Sequence, residues 1–443
     1  MRFKAFIAAG LASMLALSAC GSDTTPAETD APAGGDTTTA AAPGGTEGGA
    51  EGGAGGDVGV FTWWAEGSEK VGLEALEKRF GEMFPNDTFV NLAVAGGAGS
   101  NAKAKLEADL QNNNPPDSFQ GHAGAELFDY IQAEQIVPVN DVMDELGGAD
   151  VFPQNLLDLI SVDGNIYSIP SNVHRSNVAW VNPEVLDKGG VSHEAPADLD
   201  AWIADMETLK AAGVETPLAI GTAPWTQVHF LESILLSELG TDAYNALFAD
   251  GDWNDAAVRS AVDKYAKLLE FANTGGADDW PQATDMVIDG TAAYNVMGDW
   301  AVAQFNEKDK VDGEDYLYWP TPGTEGTFLF LADSFTLPNN APNPEGAKDW
   351  LRLVGSAEGQ MDFNLAKGSI PARTDVSVDE FPPYQQSALQ SFQNDAIASS
   401  IAHGAATSNA WLGEIQAAVS SFWTDKDADA FHQALVTAAE NFR

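Results

Sequence analysis

From Val58 onward, short runs of β-branched and aromatic residues alternate with stretches whose apolar side chains recur every three or four positions, the pattern of strands feeding helices. Val58 to Trp64 reads as a strand, and Val71, Leu73, Leu76, Phe80, Met83 and Phe84 follow at helical spacing. Pro85 and Asn86 stop that helix. Phe89 to Val94 reads as a second strand, Asn101 to Gln111 as a helix, and Pro115-Pro116 leads into a third strand around Asp117 to Gln120. A β-α-β-α rhythm implies a parallel sheet covered by helices. The rhythm returns in the helical runs Leu231 to Leu247 and Ala256 to Ala272 and the strand Ala292 to Met297, which ends at Gly298-Asp299-Trp300. Two α/β lobes are therefore expected.

Three extended segments look like crossings between those lobes: Ile166 to Trp180, Thr327 to Leu337, and Lys367 to Arg373. Three passages make a hinge that can close. The expected division is 58–171 with 333–370 as an N-terminal lobe, and 172–332 with 371–443 as a C-terminal lobe.

The start of the chain reads differently. Arg2 and Lys4 precede an apolar stretch, Ala5 to Ala19, too short for a stable membrane span, and Leu17-Ser18-Ala19-Cys20 has the pattern of a bacterial lipoprotein signal. Residues 1–19 are expected to be removed, leaving a lipidated Cys20 that holds the protein at the outer face of a membrane by its lipid alone. Residues 20–57 are Gly, Ala, Thr, Pro and acid, with too little apolar surface to fold. As a flexible coil this linker spans roughly 30–35 Å. Cys20 is the only cysteine, so no disulfide is expected.

The chain carries 66 acidic against 21 basic residues, a formal charge of −45. Nucleic acid and anionic lipid surfaces would repel it. The histidines show no His-x-x-x-His pair and there is no phosphate-binding Gly-x-x-x-x-Gly-Lys-Ser/Thr sequence, so neither a metal nor a nucleotide cofactor is expected.

In open parallel sheets, ligands bind beyond the carboxyl ends of strands. Here those ends carry Trp63-Trp64 with Glu66 and Glu69 just after, Gln120 and His122, and Trp300. Indole faces beside carboxylate, amide and imidazole groups suit a sugar, whose C–H faces pack on aromatic rings while its hydroxyls pair with polar groups. Each residue also has a plainer explanation: any tryptophan is as readily core, a lone histidine is more often structural, and a carboxylate in so acidic a chain is by default a surface charge.

The motifs Phe61-Thr62-Trp63-Trp64, Asn114-Pro115-Pro116-Asp117-Ser118-Phe119-Gln120-Gly121-His122-Ala123-Gly124, His174-Arg175-Ser176-Asn177, Asn295-Val296-Met297-Gly298-Asp299-Trp300, Asp333-Ser334-Phe335, Lys367-Gly368-Ser369-Ile370 and His403-Gly404-Ala405 stand in this order along the chain. Together they resemble the extracellular solute-binding proteins of carbohydrate ABC importers, closest to the glucose/galactose-binding branch. The resemblance implies an α/β, two-lobed periplasmic-binding-protein-like fold with a sugar cleft between lobes. It implies a monosaccharide ligand at Trp63, Trp64, Glu69, Gln120, His122, Trp280, Trp300, Asp333, Lys367 and His403, with Trp225 and Gln227 as further contacts; Glu66 is the alternative to Glu69. The implied partner is a membrane permease, with ATP hydrolysis left to that complex and the binding protein acting as a monomer that catalyses nothing. An exported glycoside hydrolase also uses paired carboxylates and sugar-stacking tryptophan, and is the competing expectation. A surface adhesin without a small-molecule ligand is a third.

Overall fold

The computed structural model describes residues 55–95, 99–377 and 379–442. The leader, Cys20 and all but the last residues of the linker lie outside the described residues. Twelve strands follow in chain order: β1 (Asp57–Phe61), β2 (Thr88–Asn91), β3 (Ser118–His122), β4 (Ser161–Val162), β5 (Asn165–Ile166), β6 (Ser168–Arg175), β7 (Val178–Val181), β8 (Thr216–Ala219), β9 (Ala292–Val296), β10 (Leu317–Pro320), β11 (Thr327–Thr336) and β12 (Ala396–Ser399).

The first sheet is built on β1, which pairs in parallel with β2 on one side and β3 on the other, as the β-α-β-α rhythm requires. Four of its five residues are buried because helices cover both faces. Trp64, Phe80, Phe119 and Trp350 fill the core around it, none more than 2% exposed. The sheet is not purely parallel. The long β11 runs antiparallel to β3 and to β6, and parallel to β12. Residues 333–336 pair with β3 and β6 at once, so these two lie on opposite edges of β11.

The second sheet has the order β10-β7-β9-β8, with β8 and β9 parallel and the other pairs antiparallel. Trp202, Tyr265, Tyr294 and Trp411 pack around it in a separate core. The segment Ile166 to Trp180, whose proline and polar residues suggest a bare crossing, instead forms the fully buried β6 and most of β7. Its polar groups are buried because partners arrive from elsewhere: Gln360 donates to the Pro170 carbonyl, and Asn172 donates to Asp333. The helical run expected over Leu231 to Leu247 is two helices, Pro224–Leu239 and Thr241–Ala246, broken at Gly240, whose φ of 72° ends the first. Among the described residues, no helix is long and apolar enough to cross a membrane.

Candidate functional site

β11 delivers Asp333 to the middle of the molecule, opposite His122 of β3 on one edge and Asn172 of β6 on the other, at a register shift between Asp333 and Ser334. Both carboxylate oxygens are held: Oδ1 accepts from Gln120 Nε2 at 2.9 Å, and Oδ2 accepts from Asn172 Nδ2 and Lys367 Nζ, each at 3.0 Å. His122 Nε2 and His174 Nε2 each stand 3.6 Å away. Burial would push this carboxyl up, but the Lys367 ammonium, with the two imidazoles, holds it well below the usual carboxylate range. Lys367 is the last residue of the helix Ala357–Lys367, which Gly368 ends with a φ of 91°. A left-handed glycine there stops the helix and leaves the lysine beside β11.

The two histidines are braced from behind. His122 Nδ1 contacts Glu126 Oε2 at 2.8 Å, and Lys103 donates to the same oxygen at 2.7 Å. Burial alone would raise Glu126; Lys103 and His122 bring it down to about 2 instead. His174 Nδ1 bonds Asp299 Oδ1, and the other oxygen of Asp299 accepts from the Arg175 N–H at 2.9 Å. These bonds tie the Gly298-Asp299-Trp300 turn to the end of β6. Gly298 has to be glycine, since a Cβ there would overlap the Trp300 ring.

Three indoles come from the first turns or caps of helices: Trp225 in Pro224–Leu239, Trp280 at the start of Trp280–Ile288, and Trp300 capping Ala301–Glu307. Asp279 orders two of them, accepting from Trp225 Nε1 and from the Trp280 N–H, both at 2.8 Å. Trp300 is the hub. Its ring centroid lies 5.1 Å from His174, 5.2 Å from His403, 6.4 Å from Trp280 and 6.5 Å from Trp225. Trp63 closes the opposite wall, 4.9 Å from His122. Glu69 enters from the helix Gly67–Met83 with a carboxylate oxygen 3.8 Å from Lys367 Nζ, and burial pushes it up to about 7 although the ammonium works the other way. Together these side chains line a cavity of about 30 Å³.

The match to the family model for bacterial extracellular solute-binding proteins runs over residues 75–389. The chain belongs to that family. It is 34% identical over 385 residues to an uncharacterized ABC transporter extracellular-binding protein of Pyrococcus horikoshii, covering 86% of each chain. It is 30% identical over 381 residues to a xylose/arabinose-binding protein of Haloferax volcanii, covering 85% of this chain and 83% of that one. A solved chitin oligosaccharide binding protein superimposes with a TM-score of 0.77 at 19% identity, over 88% of this chain and 99% of that one. This solute-binding protein thus has the periplasmic-binding-protein-like fold, in a mixed α/β form.

Within the solute-binding protein, Trp63, Glu69, His122, Trp280, Trp300, Asp333, Lys367 and His403 line this same cavity. Two residues expected there stand elsewhere. Trp64 turns into the core, fully buried against Phe363 at 4.5 Å and Phe335 at 5.4 Å, with its ring under the Lys367 ammonium. Adjacent residues leaving a strand point to opposite sides, so only one of the paired indoles can face the cavity. Gln120 sits one layer behind, donating to Asp333 while its oxygen accepts from the Thr62 hydroxyl. Glu66 is exposed and away from the lining, and Gln227 donates to the Thr222 carbonyl. Conversely, His174 and Leu331 line the cavity with no role foreseen for them, and Trp225, expected as a lesser contact, lines it too. His174 had been visible only as part of a motif, because its partners Asp299 and Asp333 are far away in sequence.

His229, Glu232 and His403 bring their ligand atoms within 4.8 Å of one another. That donor set would suit a divalent ion. However, Glu232 already accepts from two backbone N–H groups and two serine hydroxyls, and each imidazole reaches it through one of those serines. Both oxygens of Glu232 are thereby taken up by hydrogen-bond donors.

Proposed function

We propose that this protein is the substrate-binding lipoprotein of an ABC sugar importer, capturing one pyranose, glucose or galactose, and delivering it to permease subunits. The observation that carries this reading is the convergence, on one buried cavity, of indole faces with the Asp333–Lys367 pair, from segments spread between residues 63 and 403. Trp300 and Trp63 offer faces for the ring's C–H surfaces, while ionised Asp333 and the Lys367 ammonium offer charge-assisted bonds to hydroxyls. The acidic coat argues against a polyanionic partner.

Size adds a mechanical requirement. A cavity of about 30 Å³ holds two or three waters, each needing roughly 10–15 Å³, and a pyranose is far larger. Loading therefore requires the walls to part, and the two sheets, joined through the β6–β7 and β10–β11 passages, are the bodies we expect to move. A ligand that touches both supplies the differential affinity for closure. Lipid attachment at Cys20 and a monomeric state belong to the same proposal.

Glycoside hydrolysis has one observation in its favour: Glu69 is raised and Asp333 depressed, the split that an acid and a nucleophile need. Asp333, however, is already engaged by Gln120, Asn172 and Lys367. Titration calorimetry with glucose, galactose, mannose, xylose and maltose tests the receptor reading; heat from none of them removes it. Release of nitrophenol from aryl glycosides would favour the hydrolase.

A further inference from the structure

The turn after β12 and the helix Pro224–Leu239 meet at one buried carboxylate. Glu232 is fully buried, and among the described residues no lysine or arginine pairs with it; the nearest basic nitrogen is His229 Nδ1 at 3.8 Å from Oε1. What surrounds it instead are donors. Oε2 accepts from the N–H groups of Ile401 at 2.6 Å and Ala402 at 2.9 Å, Oε1 accepts from the Ser176 hydroxyl at 2.7 Å, and the Ser400 hydroxyl lies 3.0 Å from both oxygens.

A serine hydroxyl has one proton to give. With that of Ser400 directed at Glu232, its oxygen can only accept from His403, whose Nδ1 stands 2.9 Å away and whose own N–H also points at it from 3.2 Å. Nδ1 must then carry the imidazole proton. Burial, followed by the neighbouring His229 and His122, holds His403 well below its ordinary range, so the ring is neutral and Nε2 is bare. His403 is also the member of this network that lines the cavity. His229 is bound in the same way through Ser176, its Nδ1 at 3.2 Å, and its Nε2 is buried without a partner.

We propose that Glu232, out of reach of any ligand, is a positioning residue for recognition: through the Ser400 hydroxyl it fixes the Nδ1–H tautomer of His403, so that this wall of the cavity accepts a hydrogen bond and selects a sugar with a free hydroxyl donor there. The tautomer follows from the hydrogen bonds around an ionised Glu232; the selection rests on the pyranose reading. Such a wall rejects a ligand whose group at that position can only accept, because two lone pairs would face each other in a buried site.

The test uses the full chain with ¹⁵N-labelled histidine at pH 8, where Glu232, raised to about 7 by burial, is ionised. Long-range proton–nitrogen correlation distinguishes the two tautomers, with His403 assigned by its loss in His403→Asn. The wild type should show Nδ1–H. Glu232→Gln can keep the two backbone contacts on its carbonyl while its amide donates to Ser400, reversing the chain to Nε2–H; Ser400→Ala, which leaves the backbone contacts of Glu232 in place, should give a mixture. Nε2–H in the wild type, or an unchanged tautomer in Ser400→Ala, overturns the proposal whether or not Glu232→Gln folds. Selection is read with deoxy and fluoro analogues of the sugar that binds, since fluorine cannot donate. At one ring position both should bind the wild type at least about tenfold more weakly than the parent, and in Glu232→Gln the fluoro analogue should regain about tenfold over the deoxy. No such position overturns the selection. Failure of every pyranose to bind would instead remove the functional reading and leave the tautomer result standing.

Discussion

Lys367 Nζ lies 3.0 Å from Asp333 Oδ2, with the two side chains only 2% and 3% exposed. Asp333→Ala would strip the buried ammonium of its hydrogen-bonded partner and leave it only Glu69 at 3.8 Å, which destabilises by about 3–5 kcal/mol. Denaturant unfolding should show that loss, and calorimetry a fall of sugar affinity of about a hundredfold or more. Asp333→Ala combined with Lys367→Met should recover much of the stability and none of the binding. A double variant as unstable as the single one would mean that the lost packing of Asp333, not the stranded charge, is responsible.

Trp63 and Trp64 should part company under mutation. Trp64→Ala removes a core ring and is expected to cost about 3–5 kcal/mol in unfolding experiments. Trp63→Ala opens a wall that water can enter, so its stability loss should be smaller and its loss of sugar affinity about tenfold or more. Equal stability losses would contradict the placement of the two rings.

Gly298→Ala should act through Trp300. The added methyl overlaps that ring, so the indole must shift, at a cost of about 1–3 kcal/mol and with loss of sugar binding. Trp300→Ala also abolishes binding but makes room. In the Trp300→Ala background, Gly298→Ala should therefore be nearly silent in stability; additive losses would show a different origin.

Acidification should leave stability nearly level between pH 7 and 5. Native Glu69 and Glu232, both raised to about 7 from 4.5 by burial, take up protons in that range before the unfolded chain does, which favours folding as the pH falls. His229, lowered by burial to about 3, and His403, lowered well below 6.5, stay neutral in the native state while the unfolded chain protonates them, which opposes it. Below about pH 4.5 stability should fall, because native Glu126, at about 2, and Asp333, below the usual range, resist protons that the unfolded carboxylates accept. Thermal unfolding across pH checks this. Relative to wild type, Glu232→Gln should become less stable as the pH drops from 7.5 to 5, and a parallel pair of curves would refute the assignment.

Much of the fold was legible where one stretch of chain decides it. β1, β2 and β9 announce themselves by short apolar runs between helical patterns and β3 by the Pro115-Pro116 that leads into it, and the parallel pairing of β1 with β2 and β3 follows. β6 does not, because Ser168-Ile169-Pro170-Ser171-Asn172-Val173-His174-Arg175 is buried by partners that lie 124 to 193 residues away in sequence, such as Asp299 and Asn364. Periodicity reports a residue's polarity, not whether a distant segment will satisfy it. The same limit applies at the cavity. The candidate side chains could be picked out at strand ends and by resemblance, but the division of labour between Trp63 and Trp64, the retreat of Gln120 behind Asp333, and the Ser400 relay depend on three-dimensional neighbours.

Asp333 sits where β3, β6 and β11, drawn from three remote stretches of polypeptide, are laced edge to edge. Such a plate is stiff, and breaking any seam in it would forfeit several backbone bonds together. The anionic base of the chamber is therefore held in register by the sheet, and Asp299 ties the Trp300 turn to the same β6, so a substitution that loosens Trp225 or Trp300 should quicken the escape of a guest more than it slows capture.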